Sequence, residues 1–209
     1  MKIFAIETSC DETAVAIVED GRHIMSHSVA SQIKWHREFG GVVPELASRM
    51  HAEKIHILVE KVLADSGLAL ADIDAFAVTY GPGLEGALLV GISVAKTMAQ
   101  LLEKPLIPVN HLHGHIYSVF LAEELPKFPF LTLIASGGHT LLVHVKDHFE
   151  FEMLGTTRDD ACGEAFDKVA RVLGLPYPGG PAIEEAALEG AGDITAFDFP
   201  RAMIKEGLE

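Results

Sequence analysis

A chain of 209 residues, 49% of them hydrophobic, has enough apolar material for one large domain or two small lobes, which excludes general disorder. Thirty acidic side chains against sixteen basic ones give a formal net charge of −14. A chain this acidic repels a phosphate backbone unless its basic residues cluster or a partner supplies them, so a self-sufficient nucleic-acid binder is disfavoured.

The first thirty residues predict a meander. Lys2–Glu7, Thr13–Glu19 and His23–Ser31 read as strands, with Asp20-Gly21 as the hairpin turn between the last two. The link Thr8-Ser9-Cys10-Asp11-Glu12 is crowded with hydroxyls and carboxylates, which are costly to bury, so it is expected to face a cleft or solvent. Glu7 follows the apolar run Ile3–Ile6 too soon for the roughly 7–15 apolar residues of a signal peptide, and no stretch approaches the about 18 of a membrane span. The expected location is therefore cytoplasmic, away from membranes. Cys10 and Cys162 are too few for a disulfide framework and too scattered for a CxxC motif, and are expected as reduced thiols.

From Pro44 to Ala64 the residues Leu46, Met50, Ile55, Leu58, Val59 and Val62 recur at helical spacing, and Gly67 ends the segment. Asp74–Tyr80 reads as a buried strand, Gly81-Pro82-Gly83 as a sharp turn, and Gly86–Leu102 as a helix apolar over most of its circumference. Pro105–Val109 is the next strand. A strand, helix, strand run with short links implies a parallel crossover, hence an α/β mixed sheet with helices packed on it.

His111-Leu112-His113-Gly114-His115 follows that strand and precedes a helix-like stretch, Ile116–Ala122. On a helix, His111 and His115 lie one turn apart on one face while His113 points elsewhere. Two readings stay open: a solvated or packed histidine-rich helix start, or two ligands of one metal ion beyond the carboxyl end of a parallel strand. A catalytic metal usually takes three protein ligands, and no third His or Asp lies nearby in sequence. The residue after His111 is Leu112, so the HExxH glutamate of a metalloprotease is absent.

After Phe128-Pro129-Phe130, the segments Leu131–Ala135, Thr140–Lys146 and Phe149–Leu154 repeat the opening pattern of strand, turn, strand, strand. Two lobes follow, residues 1–127 and 128–209, with a ligand expected between them and the polar turns 8–12 and 136–140 facing each other. Ser136-Gly137-Gly138-His139-Thr140 offers unobstructed backbone N–H groups suited to an anion, or is an ordinary hairpin turn. It is not a P-loop, since no GxxxxGK[ST] occurs. Asp159-Asp160 are expected to cap the helix Cys162–Leu173. Asp167, beside Lys168 inside that helix, is either an exposed ion-paired residue or a ligand contact. Pro178-Gly179-Gly180-Pro181 reads as a stiff loop allowing close approach at its glycines, before a helix beginning near Ala182 and an acidic tail. No closing strand follows, so the second lobe is expected to be incomplete and the chain a truncated portion of a longer protein.

Six motifs in order, Glu7-Thr8-Ser9-Cys10-Asp11-Glu12-Thr13, Gly40-Gly41-Val42-Val43-Pro44-Glu45-Leu46-Ala47-Ser48-Arg49, Gly81-Pro82-Gly83-Leu84, His111-Leu112-His113-Gly114-His115, Ser136-Gly137-Gly138-His139-Thr140 and Tyr177-Pro178-Gly179-Gly180-Pro181, resemble the TsaD family. These are the bacterial tRNA N6-adenosine threonylcarbamoyltransferases, formerly the glycoprotease Gcp family. The resemblance implies the actin-like fold of acetate and sugar kinases and heat-shock ATPases, with duplicated ribonuclease-H-like lobes. It implies transfer of threonylcarbamoyl from threonylcarbamoyl-AMP to N6 of the adenosine beside the anticodon in tRNAs reading codons that begin with A. It further implies a divalent metal ion, Fe(2+) or Zn(2+), on His111 and His115, with a third ligand, an Asp, beyond Glu209. The adenylate contacts it implies fall on Ile134, Ala135, Ser136, Gly137, Gly138, Asp167 and Gly180. His113 stands where several relatives carry Glu, and faces away from the pair. Asp11 and Glu12 are the carboxylates placed to take the proton of the attacking amine or to orient the tRNA.

Two rivals remain: a zinc-dependent protease, and a non-catalytic scaffold like TsaB, a paralogue that lacks the histidine pair. The partners implied are TsaB as a heterodimer, TsaE, the TsaC-supplied threonylcarbamoyl-AMP, and tRNA bound with partner help; a homodimer is also open. Charge points the same way, since residues 34–61 carry five Lys and Arg against four Glu, a net +1, which leaves −15 on the rest of the chain. The helices 44–64 and 86–102 are expected to leave surplus apolar surface for a second chain to cover, with Leu58 and Val62 on that surface.

Overall fold

A computed structural model describes residues 1–190, 192 and 197–200. The chain divides into two compact units, Met1–Pro126 and the part from Lys127 onward.

In the first unit, β1 (Lys2–Glu7), β2 (Glu12–Glu19) and β3 (His23–Ser31) form the expected antiparallel meander. Asp20 and Gly21 both have positive φ, at 53° and 70°, and Arg22 N–H donates to the Glu19 carbonyl, which makes this a type I′ turn matched to strand twist. A short helix α1 (Ile33–His36) and a 3₁₀ turn lead to α2 (Pro44–Ser66), which Gly67 ends in the left-handed conformation. β4 (Ala75–Gly81), α3 (Glu85–Leu101), β5 (Leu106–Asn110) and α4 (His111–Tyr117) complete the unit. The sheet order is β3-β2-β1-β4-β5, with β4 parallel to β1 and β5 parallel to β4. This is the ribonuclease-H-like arrangement of an actin-like lobe: a meander edge followed by parallel strands joined through helices.

Alternation along the strands decides which face is dry. Phe4 and Ile6 of β1, Val15 and Ile17 of β2, and Phe76 and Val78 of β4 pack against Ile55, Leu58, Val59 and Val62 of α2 and Ala95 and Ala99 of α3. The second chain expected to cover Leu58 and Val62 is not needed for that purpose. Both lie inside this core, 5% and 0% exposed, because the sheet itself consumes the apolar stripe of α2. The solvent side of α3 is also less apolar than its composition suggested. Its exposed residues are Glu85, Gly86, Leu89, Ser93, Lys96, Thr97, Gln100 and Leu101.

In the second unit, β6 (Phe130–Ala135), β7 (Thr140–Asp147) and β8 (Glu150–Thr156) repeat the antiparallel meander in the order β6-β7-β8. α5 (Cys162–Val172) and α6 (Gly179–Glu189) follow. No strand follows β8 among the described residues, and most of the acidic tail lies outside them. Three local expectations are corrected. α4 starts at His111 rather than near Ile116, because the Asn110 side chain caps it by accepting from Leu112 N–H at 2.9 Å and His113 N–H at 3.3 Å. α6 starts at Gly179 rather than near Ala182, since prolines are tolerated at a helix start where N–H groups have no helical partner. The cap of α5 is not Asp159 or Asp160: the Thr140 hydroxyl accepts from Cys162 N–H at 2.8 Å, while Asp160 pairs with Lys168.

Both cysteines are free thiols. No helix among the described residues is long and apolar enough to cross a membrane.

Candidate functional site

The parallel strands β1, β4 and β5 end side by side at Glu7, Gly81 and Asn110, and the loops leaving those ends meet. The turn after β1 is only in part open to water as its polarity suggested: Cys10 and Glu12 are exposed, Thr8 and Ser9 are not. Thr8 and Ser9 are buried because the loops and α3 supply partners: the Thr8 hydroxyl donates to the Ala87 carbonyl at 2.8 Å and accepts from Gly91 N–H at 3.2 Å. The Ser9 carbonyl accepts from Leu84 N–H at 2.8 Å, and a Cβ on Gly83 would stand 2.6 Å from that oxygen, so the Gly81-Pro82-Gly83 turn needs glycine there. Glu12 opens β2 exposed to solvent; Asp11 is half-buried, its carbonyl accepting from Gln32 N–H.

His111 is the first residue of α4 and therefore sits at the end of β5. Its Nδ1 lies 3.1 Å from Ser9 Oγ and 3.7 Å from a Glu7 carboxylate oxygen. One turn on, His115 brings its Nε2 to 3.0 Å from His111 Nε2, with the rings edge to face. Two imidazole nitrogens converge outward while the inner nitrogen of one is braced by a hydroxyl and a carboxylate. That is how metal-binding histidines are oriented, so this pair fits a divalent ion as two of its ligands. Among the described residues no group of three or more His, Cys, Asp or Glu could hold a metal. The Glu7–Ser9 brace was not anticipated from sequence, although Glu7 at the carboxyl end of a strand was a visible signal.

Burial pushes the Glu7 carboxyl up, but hydrogen bonds from His111, Ser9 and Thr79 outweigh it and bring it down to about 2, from an ordinary 4.5. A depressed carboxylate supplies stability that is complete above pH 4.5 and is lost as the pH falls from there towards 2. In Glu7→Gln this component is missing, so the fall in stability between about pH 5 and about pH 3 is expected to be shallower than in the wild type. Urea titrations across that range check it; equal slopes would contradict it.

In the second unit, the β6–β7 turn is closed by Ser136 N–H donating to the His139 carbonyl at 2.8 Å and His139 N–H donating to Ser136 Oγ at 3.1 Å. Gly137 and Gly138 have open space where a Cβ would stand. Gly163 N–H, in the first turn of α5, donates to the Ser136 carbonyl, and a Cβ on Gly163 would come within 2.8 Å of Gly137 backbone atoms. Ile134 is buried and Ala135 exposed. Asp167 does something neither reading anticipated: its carboxylate accepts from Gly179 N–H at 2.7 Å and so ties α5 to the start of α6. Lys168 pairs with Asp160 and Glu164 instead.

Gly179 and Gly180 are adjacent but not equivalent. A Cβ on Gly179 would lie 2.5 Å from the Phe166 carbonyl oxygen and 2.6 Å from Asp167 Cα, whereas one on Gly180 would meet nothing within 4 Å. Gly179→Ala is expected to cost about 1–3 kcal/mol of stability, because backbone must move. Gly180→Val is expected to stay within about 0.5 kcal/mol. Thermal denaturation of the two variants checks the contrast, and AMP titration of Gly180→Val tests the nucleotide contact implied there, with an expected loss of about ten-fold (roughly 1.4 kcal/mol) in affinity.

The TsaD family model, tRNA N6-adenosine threonylcarbamoyltransferase, matches residues 23–208. The chain belongs to the TsaD family. Among its relatives, the tRNA N6-adenosine threonylcarbamoyltransferase of Moorella thermoacetica is 60% identical over 204 residues, covering 98% of this chain and 59% of the relative. That of Geobacillus kaustophilus is 56% identical over 205 residues, with the same shares. The chain thus spans about 59% of the length of these TsaD relatives. Among solved structures, YeaZ from Pseudomonas aeruginosa is similar with 21% identity and a TM-score of 0.47, over 78% of this chain and 70% of that one.

Proposed function

We propose that this chain belongs to an enzyme that transfers threonylcarbamoyl from threonylcarbamoyl-AMP to N6 of the adenosine adjacent to the anticodon of tRNAs reading codons that begin with A. The observation that carries the reading is the convergence of His111 and His115 Nε2 atoms at the carboxyl ends of parallel strands, with His111 braced from behind by Ser9 and Glu7. Membership of the TsaD family supports this acyl transfer as the chemistry such a pair would serve.

The substrate is already activated, with AMP as leaving group, so no protein nucleophile is required. The adenine amine attacks the carbamoyl carbon, a C–N bond forms, and the C–O bond to the phosphate breaks, its electron pair leaving with AMP. Asp11 or Glu12 takes the proton from the amine. A divalent ion, Fe(2+) or Zn(2+), on His111 and His115 would supply a Lewis-acid charge for the threonylcarbamoyl group. The protein's own tasks are position and preorganised donors: the Ser136–Gly138 turn, Asp167 and Gly180 hold the adenylate.

The partners belong to the same proposal. With a net charge of −14 the chain holds tRNA only with help. TsaB pairs through the solvent stripes of α2 and α3, where Ile57 and Leu89 are exposed, rather than through the buried Leu58 and Val62. TsaE joins the pair, and TsaC supplies the adenylate. The test uses the protein at the full length of its relatives, with prepared threonylcarbamoyl-AMP and tRNA, with and without TsaB and TsaE. Modified adenosine is expected only with the partners present. No transfer in the complete mixture overturns the reaction, and repeated turnover without partners overturns their role.

A further inference from the structure

Beside the histidine pair, the first unit buries four polar side chains that the proposed reaction does not use. Thr13, Gln32, His36 and His51 are each no more than 1% exposed. Their partners fix where the protons are. The Cys10 carbonyl can only accept, so His51 donates to it from Nε2 at 2.9 Å. His51 Nδ1 then accepts, from the Thr13 hydroxyl at 2.8 Å and from Gln32 Nε2 at 3.4 Å. Val43 N–H can only donate, so His36 accepts at Nδ1, at 3.3 Å, and donates from Nε2 to Gln32 Oε1 at 3.1 Å. Both imidazoles are neutral with the proton on Nε2. Burial independently favours the neutral form of His51.

Replacing both partners of a buried hydrogen bond by apolar groups of the same shape can be nearly neutral in stability, whereas a fully satisfied polar cluster also rigidifies and specifies a single directed geometry. On the α2 side the cluster is anchored to Val43 N–H and the Ala47 carbonyl; its one side-chain bond to the turn after β1 is from His51 to the Cys10 carbonyl. That turn is held elsewhere by Thr8 on α3 and by the Ser9 carbonyl on Leu84. The side chain the turn presents towards α4 is the buried Ser9, whose hydroxyl meets His111 Nδ1.

We infer that His51 is a positioning residue: through the Cys10 carbonyl it sets the Thr8–Cys10 turn so that Ser9 and Glu7 hold the His111 imidazole with its Nε2 towards His115. The use of that orientation for metal rests on the proposed function; the orientation itself does not.

The test reads His111 directly, by ¹⁵N NMR of its ring in the whole chain, alongside calorimetric titration with zinc. The wild type is expected to show well-separated Nδ1 and Nε2 resonances of one tautomer. In His51→Leu the separation collapses towards the averaged values of an unrestrained imidazole, and zinc affinity falls at least about ten-fold. Thr13→Val, which removes one donor to His51 and leaves the core filled, moves both readouts the same way by less, and serves if the leucine variant does not fold. His51→Gln, which keeps an N–H and an acceptor, restores both. Ile55→Val on the same helix lowers stability without moving the His111 resonances. Unchanged His111 resonances in both His51→Leu and Thr13→Val overturn the inference, as does an equal change in Ile55→Val. A wild type with one fixed tautomer that binds no zinc overturns the metal reading and leaves the positioning role standing.

Discussion

Replacing His111 and His115 together by alanine is expected to remove bound divalent metal completely and to lower threonylcarbamoyl transfer by at least about a hundredfold, with little change in fold. The asymmetry follows from where the two rings are. His115 is exposed and the His111 side chain only 22% exposed, and they project from a seven-residue helix capped by Asn110, which the substitutions leave in place. Stability should fall by about 1–3 kcal/mol, because the buried Ser9 hydroxyl and the Glu7 carboxylate lose the His111 ring, while the fold is kept. Lewis-acid stabilisation is worth several kcal/mol, and each 1.36 kcal/mol is about a tenfold change in rate. Elemental analysis after dialysis, melting temperature and transfer rate, measured on the protein at its relatives' full length, separate these effects. Metal retained at the wild-type stoichiometry in the double variant would contradict the assignment of the pair.

The opposite pattern is expected for Val62→Glu. Val62 is fully buried between α2 and the sheet, in a core with Phe4, Phe76 and Ile17. A carboxylate there has no partner, and burying it costs several kcal/mol in addition to the packing lost, out of the about 5–15 kcal/mol that holds a domain together. The first unit should unfold, seen as loss of the cooperative transition and of far-ultraviolet helix signal. Had this helix face been a docking surface, the same variant would instead stay folded and lose only its partner. Ile57→Glu and Leu89→Glu, on exposed positions, are the variants that test partner docking without that confusion.

The elements that were legible in the sequence are those whose signal is local. Short apolar runs made β1, β2 and β4 readable, the spacing of Met50, Ile55, Leu58, Val59 and Val62 made α2 readable, and Asp20-Gly21 announced its turn. The histidine pair was legible for the same reason, since i and i+4 share a helix face wherever the helix is placed. Two of the differences were also local in origin, the Asn110 cap that moved the start of α4 and Gly179 opening a helix expected to be a loop; the third was not, since Thr140, 22 positions before Cys162, displaced Asp159 and Asp160 from the cap of α5. What could not be read was pairing across the chain. Ser9 finds His111 102 positions away, Thr8 finds Ala87 79 positions away, and Thr13 finds His51 38 positions away. No periodicity encodes such partners; the order of parallel strands in the sheet brings those loop ends together. The sequence by itself determined the meanders, the amphipathic helices and the chemistry on offer. Whether Thr8, Ser9 and His51 would be costly polar residues or a braced site was decided only by tertiary structure, because a buried hydroxyl or imidazole is tolerated when a donor or acceptor from a distant segment meets it.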